Sequence, residues 1–159
     1  MKLKKLKICK IILFFSLIII SMYPLNSFSC SFNVLPKKVL IILNKITSEK
    51  SHFVVEIAKT DEQKKQGLQC RISLKKNEGM LFVWNFEDYR TFWMKNTRIP
   101  LDLIFVNANY EIVDVFYNAE PYKLNAINSK KKAKYVLELN SGVFKSLYLN
   151  LGDKILLKK

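Results

Sequence analysis

A chain of 159 residues, half of them hydrophobic and 13% aromatic, can bury one core but not two, and it is no disordered polymer. Its single histidine, His52, excludes a multi-histidine zinc site and leaves only one residue for any histidine-based triad. The formal net charge of +14 must be divided before it is read, because five of the lysines lie in the first ten residues.

Lys2, Lys4, Lys5, Lys7 and Lys10 precede an apolar run from Ile11 to Ile20 that only Ser16 interrupts. Pro24 follows, and Ser27 and Ser29 place small residues at alternate positions before Cys30. A positive end, a short apolar core, a helix breaker and small residues make the order of a cleaved secretory signal, expected over residues 1–29. An uncleaved anchor is the alternative, but Ile11 to Tyr23 is short of the about 20 apolar residues that span a bilayer. Lipidation of Cys30 is another, with Ser27 standing where lipoprotein signals favour leucine. The expected localisation is therefore periplasmic or cell-envelope. Cleavage removes five lysines and lowers the charge from +14 to +9. The remaining lysines are scattered, apart from Lys130–Lys132 and the terminal pair, which reads as compositional bias and not as a nucleic-acid groove. A weak attraction to an anionic membrane surface is compatible with this charge. An oxidising compartment permits a disulfide between Cys30 and Cys70, although their spacing does not show that they meet.

Residues 30–38 read as a linker and 39–159 as a single β domain. Val39 to Leu43 and His52 to Ala58 suggest a hairpin. Thr60 followed by Gln63 is a capping box, so a helix is expected over 61–68, ended by Gly67. His52 reads as a strand surface residue. Gly79 to Trp84 reads as a buried strand, Asn85 to Asp88 as a turn, and Tyr89 to Met94 as another strand. Leu101 to Val106 and Tyr110 to Tyr117 flank a tight reversal and predict a second hairpin. A polar connection over 118–133 leads to a strand at Tyr135 to Leu139, a short helix within Val143 to Leu149, and a last strand at Ile155 to Leu157. About eight short strands and two short helices argue for a mainly β fold: a small antiparallel sandwich or half-open barrel, helices across an end or edge. The long alternating helices of a doubly wound parallel sheet are missing.

Chemistry concentrates in Phe92–Thr97 and Ile99–Asp102. Asp102 sits among Leu101, Leu103 and Ile104, where an unpartnered charge is costly, so Arg71 or Lys95 is its expected partner. One reading is a buried ion pair that fixes the turn after Thr97. The other is a pocket in which Arg71 and Lys95 meet a small anionic ligand, Asn96 and Thr97 orient it, and Trp93 forms a wall. Both place Lys95, Asn96 and Asp102 in one polar cluster. Glu138 shares a strand face with Val136 and completes the candidate surface, unless it is merely solvated or paired at a sheet edge. No nucleophile motif is present, no catalytic residue is assigned, and no metal or cofactor is expected.

Gly67-Leu68, Arg71, Gly79-Met80-Leu81-Phe82, Phe92–Thr97, Ile99–Asp102, Ile104-Phe105, Ala119 with Pro121, Ala133–Asn140 and Gly152-Asp153 resemble a bacterial and archaeal family called domain of unknown function 192. The match follows the family's order and spacing over roughly residues 51–158. The resemblance implies a compact, mostly β domain, commonly behind a signal peptide, with no established activity. Gln69 stands where members commonly carry methionine, and Arg98 occupies a variable position. The expected function is an extracytoplasmic small-ligand binding or accessory module. The alternatives are a cofactor-independent enzyme using Lys95 with a carboxylate, and a structural envelope protein.

Overall fold

The computed structural model describes residues 34–158, so the expected signal segment lies outside the described residues. Along them run β1 (Lys37–Leu43), β2 (Lys50–Ala58), α1 (Asp61–Gln66), β3 (Glu78–Asp88), β4 (Thr91–Phe92), β5 (Leu101–Val106), β6 (Ile112–Ala119), β7 (Ile127–Asn128), β8 (Ala133–Asn140), α2 (Val143–Ser146) and β9 (Lys154–Leu157). No helix among the described residues is long and apolar enough to cross a membrane.

Both expected hairpins form, and one device turns both. Asn44 Oδ1 accepts hydrogen bonds from the Ile46 and Thr47 amides, and Asn107 Oδ1 from those of Asn109 and Glu111. An asparagine side chain that mimics a backbone carbonyl closes each loop.

Seven strands make one sheet in the order β6-β5-β8-β3-β2-β1-β9, antiparallel except for the parallel pair β2–β3. The two edges meet at one end. The Ile112 amide donates to the Asp153 carbonyl at 2.8 Å, and the Ile155 amide to the Tyr110 carbonyl at 2.9 Å. The sheet is therefore a half-open barrel, and its edge strands are partly protected by each other.

Both faces of the sheet are buried. Alternate residues of all seven strands, among them Ile42, Val55, Leu81, Leu137, Ile104, Ile112 and Ile155, fill the enclosed inner face together with Phe144 and Leu149. The other parity, including Met80, Phe82, Leu103, Phe105 and Val136, forms an outer core under Leu68, Met94 and Ile99. Double burial explains why all six positions of β5 are buried and why its sequence does not alternate. Gly79 marks the tightest approach between β3 and β8: a Cβ there would lie 2.6 Å from the Glu138 carbonyl oxygen.

Several boundaries differ from the sequence reading. β1 starts at Lys37, inside the expected linker, and Leu35 is already buried. β3 runs on through the expected turn at Asn85–Asp88, because its exposed tail still pairs Asp88 with Ala133 beyond an irregularity in β3 between Val83 and Asp88. Only Thr91–Phe92 of the expected strand Tyr89–Met94 is a strand, and it pairs with β7 and not with the main sheet. α2 is four residues long.

Candidate functional site

A parallel pair needs a crossover, and the β2–β3 crossover carries α1. Thr60 Oγ1 accepts the Gln63 amide at 3.2 Å, and Gln63 Oε1 accepts the Thr60 amide at 3.0 Å, completing the expected capping box. Gly67 ends the helix with a φ of +50°, which drops Leu68 into the outer core. Lys64, Lys65 and Gln69 are thereby set above the outer face.

The Phe92–Thr97 segment stands opposite. Its buried anchors are Met94 and Thr97. The Met94 amide donates to the Lys123 carbonyl at 2.9 Å, and the Tyr122 amide to the Thr97 carbonyl at 3.1 Å. Asn96 takes a φ of +55°, a conformation its short amide tolerates. Its carbonyl accepts the Cys70 amide at 2.8 Å, and its Nδ2 lies 3.4 Å from Gln69 Oε1. The two walls are thus tied together at one end. Cys70 is disulfide-bonded; the other cysteines, Cys9 and Cys30, lie outside the described residues.

Between the walls is a cleft of about 330 Å³. Trp84 and Phe92 meet edge to face, with centroids 6.2 Å apart at 80°, and Phe92 packs likewise on Phe82 at 5.0 Å. Lys64 crosses the rim, its Nζ 3.1 Å from Asp61 Oδ1 and 5.1 Å from the Trp84 centroid. The Arg90 guanidinium lies 4.3 Å from the same ring, held by the carbonyls of Ala133 and Phe86.

Glu138 lines the cleft from below. It belongs to a row that crosses the outer face of the sheet: Leu103, Glu138, Met80, Glu56. Its direct neighbours in that row are therefore apolar. No cation stands within ion-pair distance of it among the described residues. Burial pushes its carboxyl up to about 8. At neutral pH the group is a neutral acid, able to donate a hydrogen bond. No fully enclosed side-chain polar atom lacks a partner among the described residues, so the carboxyl keeps its opening to the cleft.

The structure brings Trp93, Thr97 and Glu138 to one cleft, with Asn96 behind it through Gln69. It separates the others. Arg71 pairs with Glu56 at 2.5 Å, and not with Asp102. Lys95 is exposed, its Nζ 5.5 Å from the Trp93 centroid, with no carboxylate in ion-pair range among the described residues. Asp102 is only 1% exposed, but it shares parity with Ile104 and Val106 and faces the inner core. It accepts the amides of Asn118 and Phe144, each at 3.1 Å. The expected cluster of Lys95, Asn96 and Asp102 does not form, because strand alternation turns Asp102 away. Glu138 is not at an edge: β8 lies between β5 and β3.

The sequence reading missed Trp84, Lys64 and Gln69. Trp84 had a signal, since Met80, Phe82 and Trp84 share one face of β3. Lys64 and Gln69 had none, because only the crossover brings them in. Among the described residues no group of three or more His, Cys, Asp or Glu side chains could hold a metal ion.

Two crystal structures are similar to this chain in fold. One is a candidate transcription regulator from Sinorhizobium meliloti 1021, 31% identical, with a TM-score of 0.77 over 80% of this chain and 98% of its own. The other is a protein of unknown function from Novosphingobium aromaticivorans DSM 12444, 32% identical, with a TM-score of 0.73 over 84% of this chain and 89% of its own. Among curated proteins none matches. The model of the DUF192 family, described as Uncharacterized ACR, matches residues 42–157, most of the described chain, and the chain belongs to that family.

Proposed function

We propose that the chain is an extracytoplasmic small-ligand-binding module and that its site is the cleft floored by Glu138. The observation that carries this reading is a buried carboxyl on a central strand, lining a cleft and without an ion-pair partner among the described residues. A sheet built for stability alone has no use for it, since burying the acid costs free energy that leucine would not. A perturbed titratable group in a cleft with aromatic walls and a few polar groups has the makeup of a ligand site. Arg71 is engaged by Glu56 and Lys95 lies outside over Trp93, so the lysine left lining the cleft beside the paired Lys64 is Lys65.

Mass spectrometry of small molecules released from the purified protein tests this. Wild type is expected to carry a molecule that Glu138→Leu has lost while still folded. Equal occupancy in a folded Glu138→Leu protein would sink the reading.

Export rests on the basic, apolar and small-residue order of residues 2–29, and the disulfide at Cys70 supports it, because such bonds persist in oxidising compartments. N-terminal sequencing of the mature protein is expected to start at Cys30; a soluble form starting at Met1 would contradict export. The regulator description belongs to the Sinorhizobium protein. The described helices of this chain have six and four residues, too short for a recognition helix in a major groove, so nucleic acid is not part of the reading. A weak attraction to anionic membrane surfaces follows from the lysine excess alone.

A further inference from the structure

The cleft over Glu138 does not end at Trp84. A second depression, of about 530 Å³, shares Asp61, Lys64 and Trp84 with it and continues to Phe86. Trp84, with Lys64 Nζ 5.1 Å from its ring centroid, lines both. Aromatic surface is available on both sides: Trp93 is 49% exposed and Phe86 is 65% exposed.

Apart from the paired Lys64 and Asp61, the charges along this groove are of both signs, Lys65 lining the first compartment and Lys59 with Glu62 the second, and the other polar groups carry no charge. The first compartment offers Gln69, Thr97 and the neutral Glu138, and the second offers Thr60 and Asn85. Beside Trp84, Lys64 is paired with Asp61 at 3.1 Å.

We propose that this groove binds a neutral carbohydrate chain, with one ring above Glu138 against Trp93 and the next ring past Trp84 against Phe86. The proposal rests on the reading of the Glu138 cleft as a ligand site and extends it. A pyranose ring has two faces of C–H bonds and a rim of hydroxyls. The C–H faces carry slight positive charge and stack on the negative face of an aromatic ring. The hydroxyls need donors and acceptors of the amide, hydroxyl and carboxylic acid kind. A purely apolar ligand would cover the Glu138 carboxyl without giving it a partner and lose affinity for it. A polyanion would find Lys64 already matched and would face Asp61 and Glu62 along the same helix. The first compartment has the size for one sugar ring, near the lower end of the usual ligand-site range of about 300–1,000 Å³. The second gives a following ring its place.

The chain contains two tryptophans; both line the first compartment and Trp84 also lines the second, so tryptophan emission reports on this groove. The full chain is titrated with N-acetylglucosamine, its β-1,4-linked dimer and trimer, glucose and cellotriose. A saturable emission change is expected, with at least one of the two oligomer series binding at least about ten-fold tighter than its monosaccharide. Phe86→Ala is expected to remove the advantage of the oligomer and leave the monosaccharide affinity unchanged. Thr97→Val, which keeps the shape of a buried side chain, is expected to weaken monomer and oligomer alike. Equal affinities for monomer and oligomer would overturn the two-ring placement. No saturable response to any of the sugars would overturn the carbohydrate assignment. If a co-purifying molecule is nevertheless lost from Glu138→Leu, the cleft stands and only its ligand class falls; if neither is seen, both readings fall.

Discussion

Glu138→Leu is expected to unfold at higher denaturant concentration than wild type, and the gap is expected to widen as pH rises. The acid titrates at about 8 in the folded protein against an ordinary 4.5. Below pH 4.5 both folded and unfolded states hold the proton, and the carboxyl adds no pH dependence. Between 4.5 and 8 the unfolded state gives up its proton and the folded state keeps it. Stability therefore falls with rising pH through that window and levels off above it. At about 1.36 kcal/mol per pH unit, the full loss is about 5 kcal/mol. Leucine abolishes this slope, and so does Glu138→Gln, which keeps the shape and the hydrogen-bonding capacity. Urea unfolding of the three proteins at pH 5, 7 and 9 tests the point. A constant difference between wild type and Glu138→Leu across that range would mean that the carboxyl is not held neutral. The expected pairing of greater stability with lost binding is the usual trade between a quiet core and a working site.

Asp102→Ala is expected to be among the most destabilising single changes in the chain, at about 2–5 kcal/mol by chemical denaturation. Where β5 pairs with β6, the register slips between Leu101 and Leu103, and Asn118 is left with a φ of +50° and an amide turned out of the ladder. Asp102 takes that amide. Its other oxygen takes the amide of Phe144, at the start of α2, whose own N-cap is Gly142 and brings no side-chain bond. One carboxylate thus settles a part-buried bulge and a buried helix start. Alanine leaves two amides unpaired. Asparagine keeps one acceptor oxygen, so Asp102→Asn is expected to lose about half as much. Because Asp102 and Glu138 face opposite sides of the sheet, Asp102→Asn should leave tryptophan emission in the native state unchanged. A shift in that emission with little loss of stability would contradict the face assignment.

The parts of this architecture that were legible in the sequence are local ones. Thr60 and Gln63 are three residues apart and cap the helix by themselves. The apolar runs Val39–Leu43 and Leu101–Val106 are strands because little else can be made of them. The tail of β3 was illegible for the opposite reason: Asn85 to Asp88 carry turn-forming residues, and only distant pairing with β8 keeps them extended. The misplacement of Asp102 came from proximity along the chain. Seven positions separate it from Lys95, but its parity with Ile104 and Val106 already pointed elsewhere. Glu138 could be named as a candidate yet not understood, since no local pattern tells a central strand from an edge. Arg71 was expected to pair with Asp102 or to meet an anionic ligand, and it does not pair with Asp102. The carboxylate it finds, Glu56, lies on β2, fifteen residues earlier and across the outer face.

The strand order has a consequence in time. β8 is inserted between β3 and β5, both of which leave the ribosome well before it. Until residue 140 has emerged, these two strands lack their common neighbour, and the floor beneath the aromatic walls does not exist. Helix, loop and tryptophans can all be present with nothing to enclose. Contacts this far apart in sequence also form slowly. The cleft is thus a product of the finished chain: a nascent copy that stops short of β8 has its aromatic walls but no floor beneath them.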